Sequence, residues 1–166
     1  MARTGNSEWR IMGREIERKF LVAGDGWRGL GTGELYRQAY LCTDLARVVR
    51  IRRAGDRAWV SIKGKITDVT RREFEYPIPP EDADEMIEQL CLQPVIEKTR
   101  TVIPIGDHTF EVDEFHGRNA GLIVVEVELE SEDEQVELPD WVGTEVTGDP
   151  AYTNARLQEK PFDTWK

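Results

Sequence analysis

Glu15-Ile16-Glu17-Arg18-Lys19-Phe20 is the stretch whose reading decides the fold. Side chains alternate across an extended strand, so residues i, i+2 and i+4 share a face. On that rule Glu15, Glu17 and Lys19 stand on one side, and Ile16 and Phe20 on the other. One such strand is ordinary, because a half-buried sheet turns its charged face to water. Here the pattern recurs along the chain. Arg50 and Arg52 share a face against Val49 and Ile51, and Ser61, Lys63 and Lys65 oppose Val60 and Ile62. Glu73 and Glu75 oppose Phe74 and Tyr76, and Lys98 and Arg100 lie on one side. Glu111 and Asp113 oppose Phe110 and Val112, and Glu126, Glu128 and Glu130 oppose Val125, Val127 and Leu129.

The charges come as same-sign pairs, acidic on some strands and basic on others. Like charges held close on one face destabilise unless something lies between them. A polyanion offsets the basic pairs and divalent cations offset the acidic ones. A barrel closed around a polar interior places both sets about one ligand.

Period-two alternation predicts strands at Glu15–Val22, Tyr36–Leu41, Ala46–Arg53, Ala58–Lys65, Arg71–Ile78, Ile96–Ile105, His108–Phe115 and Leu122–Glu130. Gly55-Asp56 and Gly106-Asp107 suit hairpin loops between neighbours. One segment is helical by spacing: after Pro79-Pro80, the residues Ala83, Met86, Ile87, Leu90 and Cys91 fall on one face. Glu81, Asp82, Asp84 and Glu85 crowd its first turns, where the helix dipole favours acids. Packing against the outside of the sheet is its expected role. Asp149-Pro150 marks a second, short helix start. The Gly-rich stretch 23–35 has no Lys-Ser/Thr after it and no helical period, so it reads as a connecting loop.

The bulk numbers agree with one domain. The chain has 166 residues, 39% of them hydrophobic, and no apolar run near the roughly 20 residues that span a bilayer. Residues 1–12 are expected to be a flexible leader and 13–166 a single domain, with Met12-Gly13 as an alternative start. Cys42 and Cys91 lack metal-ligand spacing and read as free buried thiols, which makes the cytoplasm the expected compartment. A net charge of −10 argues against nucleic acid as a general partner but not against a phosphate ligand held by a local basic cluster. No membrane partner is expected, and a homodimer is allowed.

These residues resemble the CYTH family of triphosphate tunnel metalloenzymes. Its Glu-x-Glu-x-Lys signature stands as Glu15-Ile16-Glu17-Arg18-Lys19, followed by Phe20-Leu21-Val22. In order come Gln38-Ala39-Tyr40-Leu41, Val49-Arg50-Ile51-Arg52, Ser61-Ile62-Lys63-Gly64, Arg72-Glu73-Phe74-Glu75, Lys98-Thr99-Arg100, Val112-Asp113-Glu114-Phe115 and Val125-Glu126-Val127-Glu128. Glu145-Val146-Thr147 and Tyr152-Thr153-Asn154 also match the family near the C-terminus. The resemblance implies an α+β, mainly β fold: a closed eight-stranded antiparallel barrel with a few flanking helices. It also implies two divalent ions, Mg²⁺ or Mn²⁺, and a small-molecule triphosphate substrate. The extent of the chain suits the small bacterial single-domain members.

With that resemblance, Arg50, Arg52, Lys63, Lys98 and Arg100 are assigned to the phosphate chain, with Lys65 and Arg71 weaker because each lies near a strand end. Glu15, Glu17, Glu126 and Glu128 are the first metal-ligand candidates and Glu73 and Glu75 the next, since these ions prefer carboxylate oxygen. Lys19 beside Tyr40 lowers the phenol pKa in one reading and lets it accept a proton from water; in the other, Tyr40 only binds phosphate or fills the wall. Asp113 either binds metal or braces an arginine. Trp27, Trp141 and Tyr152 are expected to pack, and His108 and His116 to sit exposed at turns without a catalytic role.

The leading function is hydrolysis of inorganic tripolyphosphate to pyrophosphate and phosphate. Within the same fold, thiamine- or nucleoside-triphosphate hydrolysis and adenylyl cyclisation are alternatives; the sequence shows no aromatic clamp for a base. A non-catalytic polyphosphate- or nucleotide-binding module would need the cations more than the acidic pairs. A hydrophobic-ligand barrel would have to turn every charged face outward.

Overall fold

The alternation closes on itself. The structure, a computed structural model, describes residues 13–44 and 46–165, so the leader expected at residues 1–12 lies outside the described residues. Nine strands form one sheet: β1 (Gly13–Val22), β2 (Gly33–Cys42), β3 (Val48–Ala54), β4 (Arg57–Lys65), β5 (Thr70–Pro77), β6 (Ile96–Ile105), β7 (His108–Phe115), β8 (Ile123–Glu128) and β9 (Val142–Glu145). Their order is β5-β4-β3-β2-β6-β7-β8-β1-β9, and β1 pairs with β5 as well as β8. Eight strands therefore make a closed antiparallel barrel, and β9 adds to the far end of β1 through Phe20↔Glu145 and Val22↔Val142. The β3–β4 and β6–β7 hairpins turn at Gly55 and Gly106, whose φ values of +57° and +59° are the left-handed region that two-residue hairpin loops demand.

Of the boundaries that differ from the sequence expectation, two have a clear physical reason. β2 begins at Gly33, not Tyr36, because β6 is long enough to pair with it from Gly33↔Thr101 onward. The segment expected to start at Ala46 starts at Val48, because Asp44 holds a turn through the backbone N–H groups of Ala46 and Arg47. β9 was not expected; it is only four residues long and is interrupted by Gly143, where a Cβ would stand 3.0 Å from the Leu21 carbonyl oxygen.

The apolar side of the barrel wall faces outward and is covered over two regions. Ile16, Phe20, Phe110, Val112, Val125 and Val127 pack beneath Trp27 and Trp141 from the flanking loops. Ala39, Ile51 and Ala58 pack beneath helix α1 (Pro80–Gln89), which buries Ala83 and Ile87 there. Burying an aliphatic side chain such as Ile87 contributes roughly 2 kcal/mol. Met86 and Cys91 pack at the edge, as the helical spacing predicts, but Leu90 is 66% exposed because the helix has ended at that residue.

A third cluster lies on the inward face. Leu21, Phe115, Val124 and Ile96 share a face with Lys19, Asp113, Glu126 and Lys98 respectively, two residues away on each strand. They gather with Leu122 and with Leu157 from helix α2 (Asn154–Glu159), so the C-terminal segment stoppers one end of the barrel. The short helix expected at Asp149-Pro150 is a 3₁₀ turn, Pro150–Tyr152, capped by the Asp149 side chain and leading into α2. Cys42 and Cys91 are free and half-buried. Among the described residues no helix is long and apolar enough to cross a membrane.

Candidate active site

The charged faces meet inside the barrel, around a cavity of about 350 Å³. Glu15, Glu17, Glu73, Glu75, Glu126 and Glu128 line it, as do Lys19, Tyr40, Arg50, Arg52, Lys63, Arg71 and Arg100. Thr153, Asn154 and Ala155 at the start of α2 form its inner end.

β1 and β8 supply the acidic wall. Their register sets Glu17 opposite Glu128 and Lys19 opposite Glu126, while β7 sets Glu111 opposite Glu126. Burial pushes the Glu17 carboxyl above its ordinary range, and the nearby Glu126 and Glu15 push it further. Glu126 goes the other way: burial opposes its charge, but Lys19, Arg100 and Lys98 together hold it well below the usual carboxylate range. The Lys19 ammonium lies 2.9 Å from Glu126 and donates to the Tyr152 carbonyl oxygen at 3.3 Å. Burial alone would lower Lys19, yet Glu126 and Glu17 outweigh it and hold the ammonium above its ordinary value.

β3, β4 and β6 supply the cations. Lys63 bridges Glu15 at 2.7 Å and Glu73 at 3.3 Å. Arg52 donates to Glu75 at 3.0 Å, and Arg50 donates to Ser61 Oγ at 3.2 Å, with Ser61 in turn donating to Glu75 at 2.6 Å. The Nε groups of both Arg50 and Arg52 are buried without a hydrogen-bond partner among the described residues. A buried guanidinium donor left unmatched is costly. Arg100 grips Asp113 with two donors, at 2.7 and 2.6 Å, and reaches Glu126 at 2.9 Å and Glu111 as well.

Three expected site residues stand apart from the cavity. Lys98 is fully buried on the inward face between Arg100 and the plug residue Ile96, ion-paired with Asp113 and set over the Phe115 ring. Burial, aided by Arg100, lowers its ammonium to about 8. Asp113 braces both Lys98 and Arg100, which is one of the two roles its sequence position left open. Lys65 is exposed and pairs with Asp68 at 2.7 Å. Tyr40 lines the cavity, and Lys19 does act to lower its phenol, but the net shift is upward. Burial raises the phenol, and the combined pull of Arg50, Lys63 and Lys19 does not overcome it. Gln38 donates to the Tyr40 hydroxyl from the same face. His108 and His116 are half-buried rather than exposed, holding Glu134 and Thr99, and neither lines the cavity. Trp27 and Trp141 pack as expected, and Tyr152 stacks edge-on against Trp165.

Sequence reasoning missed Tyr36, Glu111 and Thr109 in the cavity wall. Glu111 carried a signal, the shared face with Asp113. Tyr36 also shares a face with Gln38 and Tyr40 but stood at the expected strand's first residue.

A divalent cation is what this donor set fits. The carboxylates are hard oxygen donors, and Glu17 is destabilised by its acidic neighbours, a strain that a cation between them relieves. Among the described residues no three acidic side chains converge as a ready cage; Lys19, Lys63 and Arg100 draw them toward themselves instead.

Comparison with known proteins gives concordant matches. Residues 13–153 match the model of the CYTH domain. An inorganic triphosphatase of Acetivibrio thermocellus is 46% identical over 155 residues, covering 93% of this chain and 99% of the relative. An inorganic triphosphatase of Nitrosomonas europaea is 36% identical over 151 residues, covering 86% and 95%. Among solved structures, a crystal structure of an inorganic triphosphatase superposes with a TM-score of 0.62 at 34% identity, over 87% of this chain and 93% of that one.

Proposed function

The chain belongs to the CYTH domain family, and from that premise we infer that it is an inorganic triphosphatase, a hydrolase that splits tripolyphosphate into pyrophosphate and phosphate. The observation that carries the reading is one cavity lined by the cations Arg50, Arg52, Lys63 and Arg100 together with the carboxylates Glu15, Glu17, Glu126 and Glu128. The linear polyanion lies along Arg50, Arg52, Lys63 and Arg100, with Arg71 near the inner end. Arginine suits this role because its planar fork meets phosphoryl oxygens bidentately. Asp113, itself paired with Lys98, fixes the Arg100 guanidinium in line.

Glu15, Glu17, Glu126 and Glu128, with Glu73 and Glu75, would hold Mg²⁺ or Mn²⁺, two ions in the full site, which would offset charge on the phosphoryl oxygens and favour ionisation of the attacking water. Water adds to a terminal phosphorus, the bridging P–O bond breaks, the leaving pyrophosphate keeps the bond's electron pair, and the water's proton passes to solvent. Glu126 keeps Lys19 charged at the acidic wall, where the ammonium orients a phosphoryl oxygen. Tyr40, protonated because its pKa is raised, donates a hydrogen bond instead of accepting the water proton. We also place the enzyme in the cytoplasm, as one domain over residues 13–166, with no nucleic-acid or membrane partner and with a homodimer allowed.

The test is a substrate panel with Mg²⁺ or Mn²⁺, reading phosphate, pyrophosphate and cyclic AMP separately. The expected order of kcat/KM is tripolyphosphate, then ATP, then pyrophosphate. Pyrophosphate fills only part of the cation array and sets its bridging oxygen badly, a misplacement that costs orders of magnitude in rate. ATP outrunning tripolyphosphate, or cyclic AMP as the main product, would overturn the inorganic assignment.

A further inference from the structure

Arg52 and Arg100 come from β3 and β6, the two strands that flank β2 in the sheet. Between them on β2 stands Tyr36, directly opposite Ala54 of β3 and Lys98 of β6, so each arginine is its diagonal neighbour. The Arg52 Cζ lies 5.5 Å from the centre of the Tyr36 ring and the Arg100 Cζ 5.7 Å from it. Arg52 lies 5.2 Å from the Trp59 ring as well, and Arg57 lies 5.2 Å from that same ring. Guanidinium and ring thus alternate across four strands, β6, β2, β3 and β4, at the end of the barrel away from α2.

The two arginines differ in how they are held. Arg100 is gripped by Asp113, Glu111 and Glu126. Among the described residues Arg52 has one carboxylate, Glu75, which Arg50 and Ser61 also engage, and its Nε is unmatched. The two guanidiniums also repel each other. An aromatic ring between them attracts both through its quadrupole while adding no charge. A tyrosine does this stiffly, with two side-chain torsions to fix.

We propose that Tyr36 is a positioning residue that holds the Arg52 and Arg100 guanidiniums apart on the cavity wall, so that they meet different phosphoryl groups of one chain, and, being occupied by them, denies a nucleobase its stacking platform. The proposal rests on the triphosphatase reading and names the residue that sets its preference for an all-phosphate chain. The ring carries the function, so the phenol oxygen is dispensable.

The experiment compares wild type, Tyr36→Phe and Tyr36→Leu in kcat and KM for tripolyphosphate and ATP at fixed Mg²⁺, with calorimetric titration of tripolyphosphate in parallel. Two partly desolvated cation–ring contacts predict a rise of about tenfold in KM and Kd for tripolyphosphate in Tyr36→Leu. Its kcat should change by less than about threefold, since the ring touches no reacting atom. Tyr36→Phe should stay within about twofold of wild type in both constants, because the π face is kept. The preference for tripolyphosphate over ATP should narrow in Tyr36→Leu and persist in Tyr36→Phe. Unchanged Kd in Tyr36→Leu, or a Phe variant as weak as the Leu variant, overturns the proposal. A wild type that binds tripolyphosphate without hydrolysing it defeats the triphosphatase reading instead, and the titration still reads the brace. Should Tyr36→Leu fail to fold, the Phe variant's kinetics alone decide whether the ring suffices.

Discussion

Along β1 the inward face runs Glu15, Glu17, Lys19 and then Leu21; along β7 it runs Glu111, Asp113 and then Phe115; along β6 it runs Arg100, Lys98 and then Ile96. The same strands, on the same face, pass from a charged half to an apolar half within one or two residues. The apolar half closes around Leu157 as a packed core. The charged half keeps a cavity, and its groups are mutually strained: a carboxyl raised at Glu17, unmatched donors at Arg50 and Arg52, and, next to the cavity, a lysine lowered at Lys98. The contrast separates a half held by apolar packing from a half in which charged groups both stabilise and oppose one another and wait for a ligand.

The largest effect is expected at Glu126. Glu126→Gln removes the carboxylate that meets both Lys19 and Arg100, and losing one preorganised electrostatic group costs about 10²–10³ in kcat. Its folded pKa is depressed, so its charge contributes stability above the ordinary carboxylate range, lost as pH falls through the folded value. The variant should therefore also melt lower than wild type at neutral pH; steady-state kinetics and thermal melting check both.

Breaking the other half should do the reverse. Leu157→Ala leaves a cavity in the plug and should destabilise by about 2–5 kcal/mol in denaturant unfolding. The divalent-ion requirement of the folded fraction should be unchanged, because Leu157 does not line the charged cavity.

Glu17→Gln sharpens the comparison inside the charged half. The folded pKa of Glu17 is raised, so its stabilising state is the protonated one, present below the ordinary value and lost as pH rises through the folded value. At neutral pH its charge destabilises, and the amide should raise the melting temperature without ligand while activity falls. A lower melting temperature would show that the acidic wall is not under strain.

The smallest effect is a slope. Lys98 is lowered from 10.5 to about 8, so between those values the unfolded chain holds a proton that the folded chain has released. Its contribution makes stability rise with pH across that window and is unfavourable below it. Lys98→Met should flatten the rise; identical slopes in urea titrations of the two proteins would contradict the buried, depressed state.

The charged half was the legible half. Same-sign pairs at i, i+2 survive any uncertainty in strand ends, so Glu15/Glu17, Arg50/Arg52 and Glu73/Glu75 were placed in the cavity from alternation and resemblance. The plug was not legible, because Phe115 and Val124 continue the inward face with the apolar residues any core strand carries. Nothing local in Leu157 says that the C-terminal segment folds back into the barrel. Depth was not legible either: Lys98 and Arg100 are two residues apart on one face, yet one is sealed against Asp113 and the other opens to the cavity. At Tyr40 the neighbouring cations are visible in sequence and desolvation, which sets the direction of its net shift, is not.

The most direct measurement is the stoichiometry of tripolyphosphate turnover with and without a divalent ion. The folded protein is incubated with tripolyphosphate in Mg²⁺ or Mn²⁺ and again in excess chelator, and phosphate and pyrophosphate are quantified separately. Equal amounts of the two products with the ion, and neither with chelator while the melting transition persists, is the predicted result. Undiminished hydrolysis in chelator would contradict the metal-holding role of the acidic wall, and no hydrolysis under any ion would contradict the triphosphatase itself.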